Sequence, residues 1–94
     1  MLYCIQCEDK ADSLDIRMAN RDAHLAYIAN FKVFTAGPTF AEDGETMNES
    51  VIIIDCEDDA ALKDYMDNDP YVTAGLFASV KASRWKKVIH NPEV

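Results

Sequence analysis

The apolar residues of this chain change period several times along its length, and each change marks an element. Residues 2–8 (Leu-Tyr-Cys-Ile-Gln-Cys-Glu) are β-prone with little charge and read as a first strand. Asp12 or Ser13 can cap a helix that runs to about Asn30. Phe31 to Ala36 reads as a second strand, stopped by Gly37-Pro38, and residues 39–49 as a long polar turn around Gly44. Ser50 to Cys56 is the clearest strand, with four β-branched residues in succession. Asp58 or Asp59 then caps a second helix through about Asp67, which Asp69-Pro70 breaks, because proline disfavours the helical conformation at the residue before it. Residues 77–89 close the chain as one strand, or as two short ones joined near Ser83-Arg84.

The order β-α-β-β-α-β is the split βαβ, or ferredoxin-like, arrangement of an α+β fold. Two right-handed crossovers place both helices on one face of a four-stranded antiparallel sheet. In the strand at 50–56, Val51 and Ile53 point to one face and Ile52, Ile54 and Cys56 to the other. A strand apolar on both sides is covered on both sides. The helices cover one face, and a second copy of the chain is the expected cover for the other. The pattern therefore predicts a homodimer through the open sheet face, or a higher oligomer built on it.

Helix one carries an unusual pattern. At about 100° per residue, Leu14, Met18, Leu25 and Ile28 form one stripe, the face expected to pack on the sheet. Arg21 projects into that stripe, and Arg17 and His24 line its edge. A guanidinium facing a core must find a carboxylate or several carbonyls, since an unpaired buried charge costs several kcal/mol. Spacing alone favours a structural salt bridge over a functional site here.

Composition then narrows the partners. The chain has 94 residues, enough for one domain over 1–94. Nine Lys and Arg stand against 17 Asp and Glu, for a net charge of −8. An acidic surface repels phosphate backbones and anionic headgroups, so neither nucleic acid nor a membrane is an expected partner. The basic cluster of Lys81, Arg84, Lys86 and Lys87 reads as a solvated strand face. No apolar run spans a bilayer and the N-terminus lacks a signal-peptide pattern, which places the chain in the cytoplasm.

The remaining signals are weak. Cys4 and Cys7 have C-x-x-C spacing, but residues three apart on a strand face opposite sides, so buried small hydrophobes are the expectation rather than a metal or redox pair. Cys56 reads as core or dimer interface, His90 as exposed, and Trp85 as packed on the sheet or a neighbouring subunit. The stretch Glu57-Asp58-Asp59 reads as a helix cap rather than a metal site. No phosphate-binding, dinucleotide or serine-hydrolase motif occurs.

A set of ordered motifs resembles the YciI-like (YCII-related) family. They are Met1-Leu2-Tyr3, Asp9 to Leu14, Arg17, Arg21-Asp22-Ala23-His24-Leu25, Thr35-Ala36-Gly37-Pro38, Asp69 to Gly75 and Trp85-Lys86-Lys87-Val88. They span nearly the whole chain, which departs from longer members in residues 39–49, where the loop is short. The resemblance implies a dimeric α+β barrel, similar to muconolactone isomerases, with a cleft holding a histidine and an aspartate. It also implies that some relatives act on chlorinated aromatic breakdown products. Carried over residue by residue, the catalytic pair is His24 and Asp69, with Arg21, Arg17, Tyr71 and Gly37 as substrate-binding residues. That chemistry is proton transfer on a small anionic or aromatic molecule bearing a carboxylate or carbonyl, by a lyase or isomerase needing no cofactor or metal. The alternative is a non-catalytic dimeric module that binds a small acid or a partner protein through the same cleft.

Overall fold

The computed structural model describes residues 1–94. Strand β1 is Leu2–Asp9, helix α1 Leu14–Ile28, β2 Lys32–Phe40, β3 Met47–Asp55, α2 Asp59–Asn68, α3 Pro70–Thr73 and β4 Phe77–Arg84. The strands form one antiparallel sheet in the order β2-β3-β1-β4, the ferredoxin-like order. Strand β1 pairs along its length with β3 on one side, Ile5 opposite Ile52, and with β4 on the other, Ile5 opposite Ala82.

The alternation of β1 settles its two faces. Tyr3, Ile5 and Cys7 are buried with Ile52, Ile54, Cys56, Leu62 and Tyr65, and Tyr27, Ile28 and Phe31 pack against them. This is the helix-covered face and the core. Each fully buried aliphatic here contributes about 1.5–3 kcal/mol through surface removed from water. Cys4 lies on the other face, so the two cysteine sulfurs diverge as their odd spacing requires.

Three local expectations are corrected. Strand β2 does not stop at Ala36 but runs through Gly37 and Pro38 to Phe40, with Pro38 opposite Ser50. It is an edge strand, where the missing N–H of proline leaves no ladder bond unmade. The connection to β3 is therefore short. Asp43 accepts the backbone N–H groups of Glu45 and Thr46, and Gly44 turns the chain at a φ of 71°. At the other end β4 stops at Arg84, and no strand covers 85–89.

The residues after β4 take a different path. Strands β4 and β2 are opposite edges of the sheet, yet the Trp85 ring lies 6.3 Å and the His90 ring 5.4 Å from the ring of Phe34, beside β2's Val33. Lys87 Nζ stands 5.3 Å above that same ring. The tail thus spans the sheet from edge to edge. Ile53 on the open face is buried, while Val51 beyond it stays half-buried.

The sheet-facing side of α1 is also corrected. Leu14, Met18 and Leu25 of the expected apolar stripe are more than 40% exposed, and the buried residues of the helix are Arg17 and His24. The helix is rotated by roughly a sixth of a turn from the position its aliphatic residues alone would choose. The polar residues that turn inward are paired, which is what makes that rotation affordable.

Candidate active site

Helix α2 starts in the predicted way, Asp58 accepting the Ala61 N–H, and ends where Asp69 takes an extended backbone, φ −62° and ψ 128°. Pro70 forces that conformation on the residue before it and then opens α3 as its first residue. Asp69 is therefore the C-terminal cap of one helix and the N-terminal cap of the next. Its Oδ1 accepts the Tyr71 N–H at 3.0 Å. The same oxygen lies 2.8 Å from His24 Nδ1, although 45 residues separate the two. An ionised carboxylate only accepts, so the imidazole proton belongs on Nδ1 and the lone pair of the neutral ring on Nε2.

A second contact fixes the ring plane. Tyr71, two residues past Asp69, stacks on His24 with centroids 3.9 Å apart and planes 11° from parallel. Only the Tyr65 hydroxyl, among buried side-chain nitrogen and oxygen atoms, lacks a partner. His24 Nε2 makes no bond to protein and is not sealed, so it opens onto the cavity that His24 helps to line.

Arg17 stands two turns before His24 on the same side of α1. Its Nε and Nη2 donate to Asp9 Oδ2 and Oδ1 at 2.8 and 2.9 Å, a bidentate pair in which both side chains are 4% exposed. Nη2 also donates to Ser50 Oγ at 2.8 Å. Burial works to lower the Arg17 pKa, but the bonds and charge of Asp9 outweigh it and the net direction is up. Arg17 Cζ lies 5.1 Å from the Tyr71 ring centroid, so that ring carries an imidazole on one contact and a guanidinium on another. Burial raises the Tyr71 phenol above its ordinary pKa, against the pull of Arg17 and Arg21. Cys7, buried in the core, is pushed up to about 12, first by burial and then by the charges of Asp69 and Asp9.

These groups surround a cavity of about 100 Å³. Its polar wall is Arg17, Arg21, His24, Ser50 and Tyr71, and its apolar wall is formed mainly by Leu25, Ile28, Pro38, Met47 and Ile52. The position of β2 matters here, because its continuation through Gly37-Pro38 supplies one side of the opening.

Of the residues named from sequence, His24, Arg17, Arg21, Tyr71 and Gly37 line the cavity and Asp69 stands behind His24. Arg21, which the sequence places in the sheet-facing stripe, is instead exposed and pairs with no acid. Gly37 has open space where a Cβ would stand, so nothing in the chain itself requires glycine there. Asp9 and Ser50 were not singled out by sequence reasoning. The signal for Asp9 was present, since a guanidinium at the helix–sheet boundary demands an acid and β1 ends in one. Ser50 is the only hydroxyl in an otherwise aliphatic run facing that arginine.

The YCII-related domain family matches residues 1–86. The chain is 38% identical over 97 aligned positions to the YciI proteins of Escherichia coli O6:H1 and Shigella flexneri, covering 94% of this chain and 99% of each relative. Among solved structures it is similar to 5-chloro-2-hydroxyhydroquinone dehydrochlorinase (TftG) from Burkholderia phenoliruptrix, in complex with 2,5-dihydroxybenzoquinone. That likeness has a TM-score of 0.84 and 36% identity, over 92% of this chain and 94% of that one. An antibiotic biosynthesis monooxygenase, at 14% identity and TM-score 0.57, shares the fold over 95% of this chain and 100% of its own. With the motifs of β1, α1, the Gly37-Pro38 strand and the Asp69-Pro70 junction all inside the matched region, the chain belongs to the YCII-related family.

Proposed function

We propose that this protein is a small lyase or isomerase that moves a proton on an oxygen-bearing, anionic or aromatic substrate held in the α1–β2–β3 cavity. His24 Nε2 takes the proton, from a hydroxyl or from a carbon next to a carbonyl. Asp69 stabilises the imidazolium that results and keeps the ring in the orientation that presents Nε2. In a lyase step the electron pair left behind expels an anion such as chloride, and the proton passes to solvent. In an isomerase step His24 returns it to another atom of the same substrate. Arg21, free of any acidic partner, offers the charge that draws an anion to a cavity in an otherwise acidic protein.

The observation that carries this reading is the 2.8 Å contact from His24 Nδ1 to Asp69 while Nε2 faces the cavity. The dehydrochlorinase at 36% identity supports hydroxylated chloroaromatics as the first class to try. Chloride release from 5-chloro-2-hydroxyhydroquinone should be measured for the natural chain and for His24→Gln. The expected result is turnover that falls roughly 100-fold or more in the variant, the usual weight of a general base. Tight binding of 2,5-dihydroxybenzoquinone with no turnover of any substrate in the class would establish the binding-module alternative instead.

A further inference from the structure

We propose that Ser50 is a catalytic hydrogen-bond donor of this site: its hydroxyl, polarised by Arg17, binds the substrate oxygen on which negative charge develops when His24 removes the proton. This rests on the reading of the cavity as a site for an oxygen-bearing substrate.

The argument starts from donor counting. A guanidinium has donors only, so in the 2.8 Å contact between Arg17 Nη2 and Ser50 Oγ the serine oxygen is the acceptor. That leaves the serine O–H still to be placed. No protein acceptor receives it, although Ser50 is 5% exposed. A buried hydroxyl whose proton has no protein partner points to whatever occupies the adjoining space, and Ser50 is part of the cavity wall with His24 and Arg21. Accepting a charge-assisted bond makes a hydroxyl a better donor, because successive hydrogen bonds polarise one another.

The fold holds this donor firmly. Ser50 sits on β3 between Pro38 and Cys7 in register, on the helix-facing side. Arg17 is fixed in turn by the two oxygens of Asp9 at the end of β1. The chain Asp9–Arg17–Ser50 thus presents a donor from the sheet, while Asp69–His24 presents an acceptor from the helices. An acceptor for a proton and a donor for the resulting oxyanion are the two groups an enolisation or elimination requires. The apolar wall of Leu25, Pro38 and Ile52 suits a flat ring between them.

The competing role is structural, with Ser50 serving only as a third acceptor for Arg17. Calorimetric titration of 2,5-dihydroxybenzoquinone into the natural chain, Ser50→Ala, Ser50→Thr and His24→Gln separates the two. Loss of a hydrogen bond to a charged oxygen is expected to weaken binding roughly 10- to 100-fold in Ser50→Ala. The visible absorption band of the bound quinone should also shift. Ser50→Thr, which keeps the hydroxyl, should stay within about threefold of the natural chain. If Ser50→Ala does not fold, Ser50→Cys replaces it, and its weak S–H donor should likewise lose affinity. Unchanged affinity and spectrum in the folded Ala or Cys variant, alongside weakened binding in His24→Gln, would overturn the Ser50 assignment alone. No binding by the natural chain at millimolar ligand would overturn it together with the reading of the site.

Discussion

The rings of His24 and Tyr71 lie face to face, 3.9 Å apart at their centroids, though one belongs to a long helix and the other to a single helical turn. The contact joins the two elements at the cavity and leaves the imidazole little freedom about its own axis. Tyr71→Phe keeps the stacked face and should change stability little. Tyr71→Ala removes a ring that is 2% exposed and should cost about 3–5 kcal/mol in urea denaturation. A loss under about 1 kcal/mol would mean that the stack does not organise the site.

Asp69→Asn tests the tautomer. With the carboxylate present, the neutral imidazole should carry its proton on Nδ1, and long-range proton–nitrogen NMR spectra should report that form. An amide can donate as well as accept, so the variant should populate the other tautomer as well. A tautomer ratio equal in both proteins would remove Asp69 from any orienting role.

The Asp9–Arg17 pair should be costly to break and inexpensive to replace. Asp9→Asn leaves a buried guanidinium without a counter-charge and should lose about 3–5 kcal/mol. The double change Asp9→Leu with Arg17→Met should lose much less. Equal losses from single and double changes would show that the two side chains are not coupled.

Alkaline stability follows from Cys7. Burial raises its pKa from 9.0 to about 12, so the folded chain keeps the thiol proton over a range in which the unfolded chain releases it. The stability this confers is intact below pH 9 and is lost as pH climbs toward 12, at up to about 1.4 kcal/mol per pH unit crossed. Cys7→Ala should flatten that part of the fall in urea midpoint between pH 8 and 10.5. An identical slope in the variant would assign the alkaline loss to the buried tyrosines, which shift in the same direction.

A second copy of the chain is proposed to cover the part of the open face that the C-terminal tail leaves bare, around Gln6, Val51 and Lys81. Sedimentation equilibrium at micromolar concentration should then give at least twice the 10.6 kDa chain mass. Val51→Asp should yield a folded monomer by circular dichroism. A natural chain that sediments as a monomer would show that the tail alone is the cover.

The strands were legible because they alternate or run apolar over enough residues to declare their faces, and the second helix because Asp58 and Pro70 bracket it. Strand β2 is longer than its sequence suggests, since proline ends a central strand but not an edge one, and edge status depends on the sheet order. The orientation of α1 differs from its aliphatic pattern for a related reason. Aliphatic residues predict the buried side only where the polar ones have no partners, and those partners, Asp9, Ser50 and Asp69, lie up to 45 residues away in sequence. The motif resemblance supplies Asp69, and the Arg17 guanidinium calls for an acid such as the one ending β1, whereas its pairing with Asp9 and Ser50 is seen only in the folded chain.

The Asp69-Pro70 junction divides the protein into parts that can and cannot drift. One carboxylate oxygen serves both the turn of α3 and the imidazole, so a change there is felt in the backbone architecture and at the cavity together. The cavity rim has no such double duty: Arg21 and Leu25 are exposed, and Gly37 has room for a larger side chain. On the function proposed above, a lineage built on this frame can therefore exchange one small molecule for another by altering its rim, while the buried pair beneath stays as it is.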